Sequence, residues 1–234
     1  MSLRFFDPLD YCDGDVCVAP IAFRVTARRT EAIARRDAAI KRGTDIVLAT
    51  AALTVLAPPM LLAAAVIRLT SRGPAVFSQE RIGLDGRPFR MLKFRTMRQQ
   101  ADAEPCRQAT RHDPRVTWFG ALLRRSSFDE VPQFFNVLAG TMSVVGPRPH
   151  APGTCVADRP FETITSRYAA RHSVKPGMTG LAQVRGWRGE TDTEDKLMRR
   201  LESDLEYIAT WSPGRDFLII GRTIVEVLRM RNAY

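Results

Sequence analysis

The chain has 234 residues, room for one domain, or one domain with appendages, around an ample core. Its formal net charge of +10 and pI near 10.2 suit anionic lipid headgroups and acidic substrates such as nucleotide phosphates. Charge alone would also suit nucleic acid, but no aromatic-interleaved basic patch, zinc-finger spacing or basic-zipper heptad run supports it, and Cys12, Cys17, Cys106 and Cys155 lack the CxxC spacing of a metal or disulfide framework.

Residues 1–40 read as a basic, partly disordered lead, closing with a short basic helix around Thr30 to Ile40 that can lie on a membrane. Residues 46–67, IVLATAALTVLAPPMLLAAAVI, carry no charge. At 1.5 Å per residue, about twenty such residues span a bilayer core. Pro58 and Pro59 fall in the middle and predict a break or sharp kink. Lys41 and Arg42 precede the segment and Arg68 and Arg72 follow it, so the positive-inside rule places both flanks in the cytoplasm. A re-entrant helix hairpin over 41–72 satisfies both facts. The alternative is a buried pair of core helices in a soluble protein.

Residues 73–234 then form the expected cytoplasmic domain, α+β and mostly helical. Ser71-Arg72-Gly73-Pro74 is a turn, and Ala75 to Gln79 and Phe89 to Phe94 are short strands joined by a hairpin turn at Gly83 to Gly86. In Lys93-Phe94-Arg95 the two cations alternate with an apolar residue; they face a site or form a solvated strand face. Residues 98–114 are polar, a helix and then a loop. From Val116 to Ala139 the pattern is helical with an interruption near Ser126.

Within SSFDEVPQFFNVLAGTMSVVGPRP, residues 126–149, Asp129 and Glu130 are adjacent carboxylates that follow Arg124 and Arg125. Such acids can hold a divalent cation or supply a nucleophile, and arginines can grip phosphate oxygens in a bidentate fork. Ser127 and Glu130 also fit a plain capping box. Against that reading, Pro132 would remove an interior hydrogen bond from a helix capped at Ser127, and the arginines put positive charge where the helix dipole disfavours it. A phosphate bound at this turn would resolve the conflict.

Residues 150–165 form a loop without a clear period, and His172 to Gly180 a punctuated loop running into Leu181 to Val184. His172 is either a contact to phosphate or nucleotide or a structural histidine. Thr191 and Glu194 read as a second capping box, before a helix with Leu197, Leu201, Leu205 and Ile208 on one core-facing stripe. Trp211 to Gly214 end it. Phe217 to Met230 is a last amphipathic, interfacial helix beside Arg215, Arg222, Arg229 and Arg231, able to pack on the core or rest on a bilayer.

In combination these residues resemble the bacterial sugar transferase family, the monotopic polyprenol-phosphate sugar-1-phosphate transferases. The likeness runs from about Lys41 to Tyr234. It rests on Lys41-Arg42 with Asp45, GPAVFSQERIG from Gly73, LKFRTM from Leu92, DPRVT from Asp113, SSFDEVPQ, MSVVGPRP, and KPGMTGLAQV from Lys175. The family commonly has SLDE where this chain has Ser127-Phe128-Asp129-Glu130.

The resemblance implies a phosphoglycosyl transferase that moves a sugar-1-phosphate from a UDP-sugar to undecaprenyl phosphate and releases UMP. It implies Asp129 as a nucleophile forming a covalent sugar-phosphoryl-aspartate, and Glu130, with Asp129, as a holder of Mg²⁺ or Mn²⁺. Arg124 matches a phosphate-gripping position, with Lys93 and Arg95 as further phosphate contacts. Arg148, between Pro147 and Pro149, matches the nucleotide side, to which His172 and Lys175 are assigned. Lys41, Arg42, Asp45, Pro58 and Pro59 match the re-entrant membrane helix. Chemically, an aspartate is a weak nucleophile but is ionised at neutral pH, and a cation with arginines must neutralise the crowded phosphates.

By this resemblance the protein sits at the bacterial inner membrane, among its lipids, with its catalytic domain facing the cytoplasm; a homodimer is allowed. The multi-helix membrane domain that precedes the catalytic part in longer members is not expected. The tail GWRGETDTEDKLMRRLESDLEYIATWS resembles members that load glucose-1-phosphate for exopolysaccharide, although Leu181 and Arg185 stand where that group often has tryptophan and asparagine. The same reaction with UDP-galactose or an N-acetylated UDP-sugar is the alternative, and a non-enzymatic membrane adaptor is disfavoured by Arg124, Asp129 and Glu130 occurring together.

Overall fold

The computed structural model describes residues 31–98, 113–156, 159–189 and 191–228. The expected lead before Glu31, the polar stretch at 99–112, and Cys12, Cys17, Cys106, Arg229 and Arg231 lie outside them. Two compact units divide the chain. Of the first, Met1–Ala38, only the opening turns of a helix are described; the second, Ala39–Tyr234, is mostly helical with small sheets.

Helix α1 runs from Glu31 to Thr70. The short basic helix and the apolar segment are therefore one element, because nothing between Ile40 and Ile46 stops the ladder. Pro58 and Pro59 lie inside it and withdraw two backbone donors without ending the helical run. By length and composition it is long and apolar enough to cross a membrane.

Both ends of the apolar stretch are tied to the rest of the second unit, of which it is part. At one end Lys41 pairs with Asp216 at 2.7 Å, and the Arg42 guanidinium donates to the carbonyls of Val137 and Leu138 at 2.5 and 2.7 Å. Buried Asp45 accepts from Ser143 Oγ and Val144 N. At the other end Ala63 and Ile67 pack with Phe94 and Leu123, and Ser71 accepts from Arg95. Between Ala49 and Ala63 no residue is buried, and Val55, Leu61 and Leu62 are exposed.

The expected hairpin forms, longer than predicted: β1 (Val76–Ile82) pairs antiparallel with β2 (Pro88–Phe94), with Phe77 opposite Lys93. Asp85 and Gly86 adopt left-handed conformations in the turn. Helix α2 (Trp118–Arg125) is capped by the Thr117 hydroxyl, which accepts from Gly120 N. The predicted interruption is a 3₁₀ turn, Phe128–Glu130, followed by α3 (Gln133–Ala139), whose N-cap is Pro132. Ser127 is left-handed (φ 58°) and makes no side-chain cap, so the capping box expected as the plain alternative does not form.

Strand β3 (Ser143–Val145) pairs in parallel with β6 (Gly177–Thr179), a contact between strands too short to show a period in the sequence. Between them, residues expected to be an irregular loop hold a minimal ladder of β4 (Cys155–Val156) and β5 (Arg159–Pro160), then α4 (Phe161–Ile164) and a 3₁₀ run, Ser166–Ser173. After β6 come α5 (Leu181–Val184), α6 (Glu194–Ala209) and α7 (Pro213–Leu228). The α6 cap is Thr193 rather than Thr191: its side chain accepts from Lys196 N, while Thr191 is buried and takes a bond from Arg200. Leu197 and Leu201 are buried as expected; Tyr207 joins Met91, Val137, Met142, Val145 and Ile219 in the main core.

The β3–β6 pairing depends on bare backbone. A Cβ at Gly177 would lie 2.1 Å from Gly146 N and 2.5 Å from Thr179 O, atoms that cannot move aside. Gly177→Ala is expected to destabilise the fold by about 3 kcal/mol, read as a lower melting temperature in detergent. Gly43→Ala is the control: it lies inside α1 with nothing within 4 Å, and its gain of about 0.5–1 kcal/mol has the opposite sign. Equal melting temperatures for the two variants would contradict this close packing.

Candidate active site

The 3₁₀ turn after α2 places two consecutive carboxylates against β2 and against the segment that follows β3. The left-handed Ser127 redirects the chain there, and Pro132 keeps the turn from merging with α3. Both Glu130 oxygens accept hydrogen bonds, two at Oε1 and one at Oε2. Lys93 Nζ donates to Oε1 at 2.8 Å, and the Arg148 guanidinium takes both oxygens, Nη1 to Oε2 at 3.1 Å and Nη2 to Oε1. Asp129 makes no side-chain hydrogen bond among the described residues, so its carboxylate stays open.

Electrostatics separate the two acids. Burial raises the Asp129 carboxyl, and the neighbouring Glu130 charge raises it further, to about 6, against the pull of Lys93, Arg124 and Arg148. Burial acts on Glu130 in the same direction, but Arg148 and Lys93 overcome it by charge and by hydrogen bonds and hold Glu130 well below the usual range. Burial in turn lowers the Lys93 ammonium, which Glu130 partly offsets. Asp129 thus remains mostly ionised at pH 7, with a narrower margin than a free aspartate has.

The predicted residues do not all converge. Lys93, Arg124, Asp129, Glu130 and Arg148 do, with Arg124 held by Thr96 Oγ1 at 2.9 Å. Pro147 and Pro149 flank Arg148 and, with Ile82, Gly83, Arg171 and His172, line a small pocket. His172 stacks on His150, and its Nε2 is buried without a partner; burial, then the Arg171 and His150 charges, lower it to about 4, so it is neutral at pH 7. Arg95 goes elsewhere. It lies just past the end of β2 and is turned to Ser71, where it anchors α1. Lys175 Nζ lies beside Gly140 and Arg42 at the carboxyl end of α3, where cations suit the exposed carbonyls.

Two further arginines belong to the surroundings of the site. Arg81 on β1 reaches the Pro149 carbonyl; burial and the Arg148 charge lower it to about 10. Arg171 is paired in the interior with Asp204 and donates to the Arg148 carbonyl at 2.8 Å, fixing the backbone of the residue that grips Glu130. Arg81 lies inside a motif already singled out, whereas Arg171 had no signal, since its partner is far away in α6. Lys93, Arg81, Arg124 and Arg148 outnumber the two carboxylates and suit a polyanionic ligand. Among the described residues no group of three or more His, Cys, Asp or Glu side chains is arranged to hold a metal ion. A hard cation fits here only on the Asp129–Glu130 pair completed by ligand phosphates and water, the way Mg²⁺ is commonly held, and the open Asp129 oxygens are available for it.

The family model described as bacterial sugar transferase matches residues 36–230. The chain is 47% identical over 195 residues to a UDP-glucose:undecaprenyl-phosphate glucose-1-phosphate transferase of Escherichia coli (strain K12), covering 83% of this chain and 41% of that protein. It is 48% identical over 194 residues to a protein of the same description from Caulobacter vibrioides (strain ATCC 19089 / CIP 103742 / CB 15), covering 83% of this chain and 72% of that one. An Aeromonas hydrophila protein described as a UDP-N-acetylgalactosamine-undecaprenyl-phosphate N-acetylgalactosaminephosphotransferase is 41% identical over 189 residues, 81% of this chain and 44% of its own length. The chain thus spans about two fifths of the length of the Escherichia coli relative.

Proposed function

The chain belongs to the bacterial sugar transferase family, and on that premise we propose that it transfers glucose-1-phosphate from UDP-glucose to undecaprenyl phosphate, releasing UMP, as the first step of exopolysaccharide repeat-unit assembly. The observation that carries the reading is the divided pair: an open Asp129 carboxylate beside a Glu130 locked by Lys93 and Arg148. Asp129 attacks the sugar-bearing phosphorus of the diphosphate. A phosphorus–oxygen bond forms to the carboxylate, the diphosphate linkage breaks, and UMP departs with the bonding electrons. The lipid phosphate then attacks the same phosphorus and restores the carboxylate. Arg148, Lys93 and Arg124 surround this centre with fixed positive charge where negative charge crowds.

Detergent-solubilised protein, undecaprenyl phosphate, Mg²⁺ and a panel of labelled UDP-sugars test the reading, with label expected in lipid from UDP-glucose. The Aeromonas relative supports UDP-N-acetylgalactosamine as a second donor, and preferential transfer from it would replace glucose. Mg²⁺, or Mn²⁺, would be held by Asp129 and Glu130 with the donor phosphates, where it supplies charge neutralisation for phosphoryl transfer. Excess EDTA is expected to abolish transfer and added Mg²⁺ to restore it. Full activity in chelator would remove the metal from the account.

The same reading places α1 in the cytoplasmic leaflet as a re-entrant element, with the catalytic unit at the inner-membrane surface. Support comes from both ends being tied to one unit, the exposed apolar middle and the two prolines there. Cysteines introduced at Gly43 and Arg72 are expected to react with impermeant reagent only from the cytoplasmic side. Labelling of one of them from the periplasm would establish a spanning helix instead.

A further inference from the structure

Ser127 is one of two non-glycine residues with positive φ among the described residues (φ 58°, ψ 15°), and it immediately precedes the turn bearing Asp129 and Glu130. A left-handed L-residue costs roughly 1–2 kcal/mol. Locally the position is held by backbone bonds alone: Ser127 N donates to the Arg124 carbonyl, and the Ser127 carbonyl accepts from Glu130 N at 3.2 Å. Its hydroxyl is taken by a distant residue, Arg188, whose Nη2 donates to Oγ at 2.7 Å.

Arg188 sits in a loop that is itself clamped. Gly186 and Gly189 on either side have φ of 88° and 94°, turning the chain sharply in and out. Arg200 of α6 donates through Nε to the Trp187 carbonyl at 2.6 Å and through its other nitrogens to the Gly189 carbonyl and Thr191 Oγ1. The Arg199 guanidinium lies 5.1 Å from the centre of the Trp187 ring. Two consecutive residues of α6 thus fix a loop whose outward arginine ends on the strained residue beside the acids.

We propose that Arg188 is a positioning residue for the Asp129–Glu130 turn, acting through the Ser127 hydroxyl and braced by α6 through Arg200 and Arg199. The strut holds Ser127 left-handed, which keeps Glu130 against Lys93 and Arg148 and leaves Asp129 free. In its catalytic consequence this rests on the transferase reading above; in its structural consequence it does not.

The experiment therefore has two arms on the detergent-solubilised full chain. Hydrogen exchange of the peptide covering residues 127–131 is expected to speed up about tenfold in Arg188→Ala, with the peptides of β1 and β2 unchanged. In the second arm, kcat falls about 10- to 100-fold while UDP-glucose binding stays within about threefold, the pattern of a displaced reacting group. Ser127→Ala keeps the strain and removes the hydroxyl, so it should reproduce both effects. The double variant should be no worse than either single one, because one bond is lost in each. Arg188→Lys, which retains a donor, should recover part of kcat. Unchanged exchange and kcat in Arg188→Ala, or effects that multiply in the double variant, would overturn the proposal. Where Arg188→Ala fails to fold, Ser127→Ala and Arg188→Lys carry the same decision. If the wild type proves inactive, the transferase reading fails while the exchange arm still judges the strut.

Discussion

Asp129→Asn is expected to lower transfer by on the order of 10³-fold or more, to leave UDP-glucose binding intact, and to raise the melting temperature. The first effect follows from chemistry: asparagine keeps the shape and loses the anionic oxygen that attacks phosphorus. The third follows from the charge state. A carboxyl raised to about 6 contributes stability below the ordinary aspartate value and loses it as pH rises through about 6, so at pH 7 its charge is a burden. Removing that charge should stabilise the fold by about 1–2 kcal/mol, discounted because the side chain is only half-buried. The same carboxyl sets the acid limb of the wild-type profile: transfer should fall as pH drops through about 6 rather than near 4. An inactive variant that melts lower than the wild type would indicate that Asp129 supports the structure and does not stand free.

Glu130→Gln should also abolish transfer, with the opposite effect on stability. Glu130 is a counter-charge shared by Lys93 and Arg148, and the amide removes that charge from a mostly buried position between them. Breaking such a pair from one side costs about 3 kcal/mol or more. The sign agrees with linkage: a carboxyl held low in the folded state contributes stability above the ordinary glutamate value and loses it as pH falls through its depressed value. Two isosteric neutralisations at adjacent positions, both inactive, should therefore move the melting temperature in opposite directions. Thermal unfolding of the two variants side by side reads this directly, and shifts of the same sign would refute the division of roles.

Much of the site was legible because its parts are local. The Asp129–Glu130 pair, Arg124 four residues before Phe128, and the Pro147-Arg148-Pro149 step are contiguous motifs, and glycine and proline punctuation marks the β1–β2 hairpin and the break after α2. What failed needed tertiary knowledge. Lys93 and Arg95 share a face by strand periodicity, yet β2 ends at Phe94, and Arg95 is free to turn to Ser71. The β3–β6 pair joins three-residue strands far apart in sequence, too short to show a period, and its register rests on Gly146 and Gly177 meeting backbone to backbone. Thr191 and Thr193 both precede acidic residues, and only tertiary bonding shows which caps α6: Thr193 accepts from Lys196 N while Thr191 is taken by Arg200. The contact of Arg188 with Ser127 spans two motifs that sequence inspection reads separately.

The covalent route is tested most directly by intact-mass measurement of wild-type protein given UDP-glucose and Mg²⁺ without lipid. A stoichiometric burst of UMP should accompany a gain of one hexose phosphate, located on the peptide holding Asp129 and absent from Asp129→Asn, and adding undecaprenyl phosphate should discharge it. No adduct, together with UMP release that waits for the lipid, would mean direct attack by the lipid phosphate, and Asp129 would become a metal ligand or base.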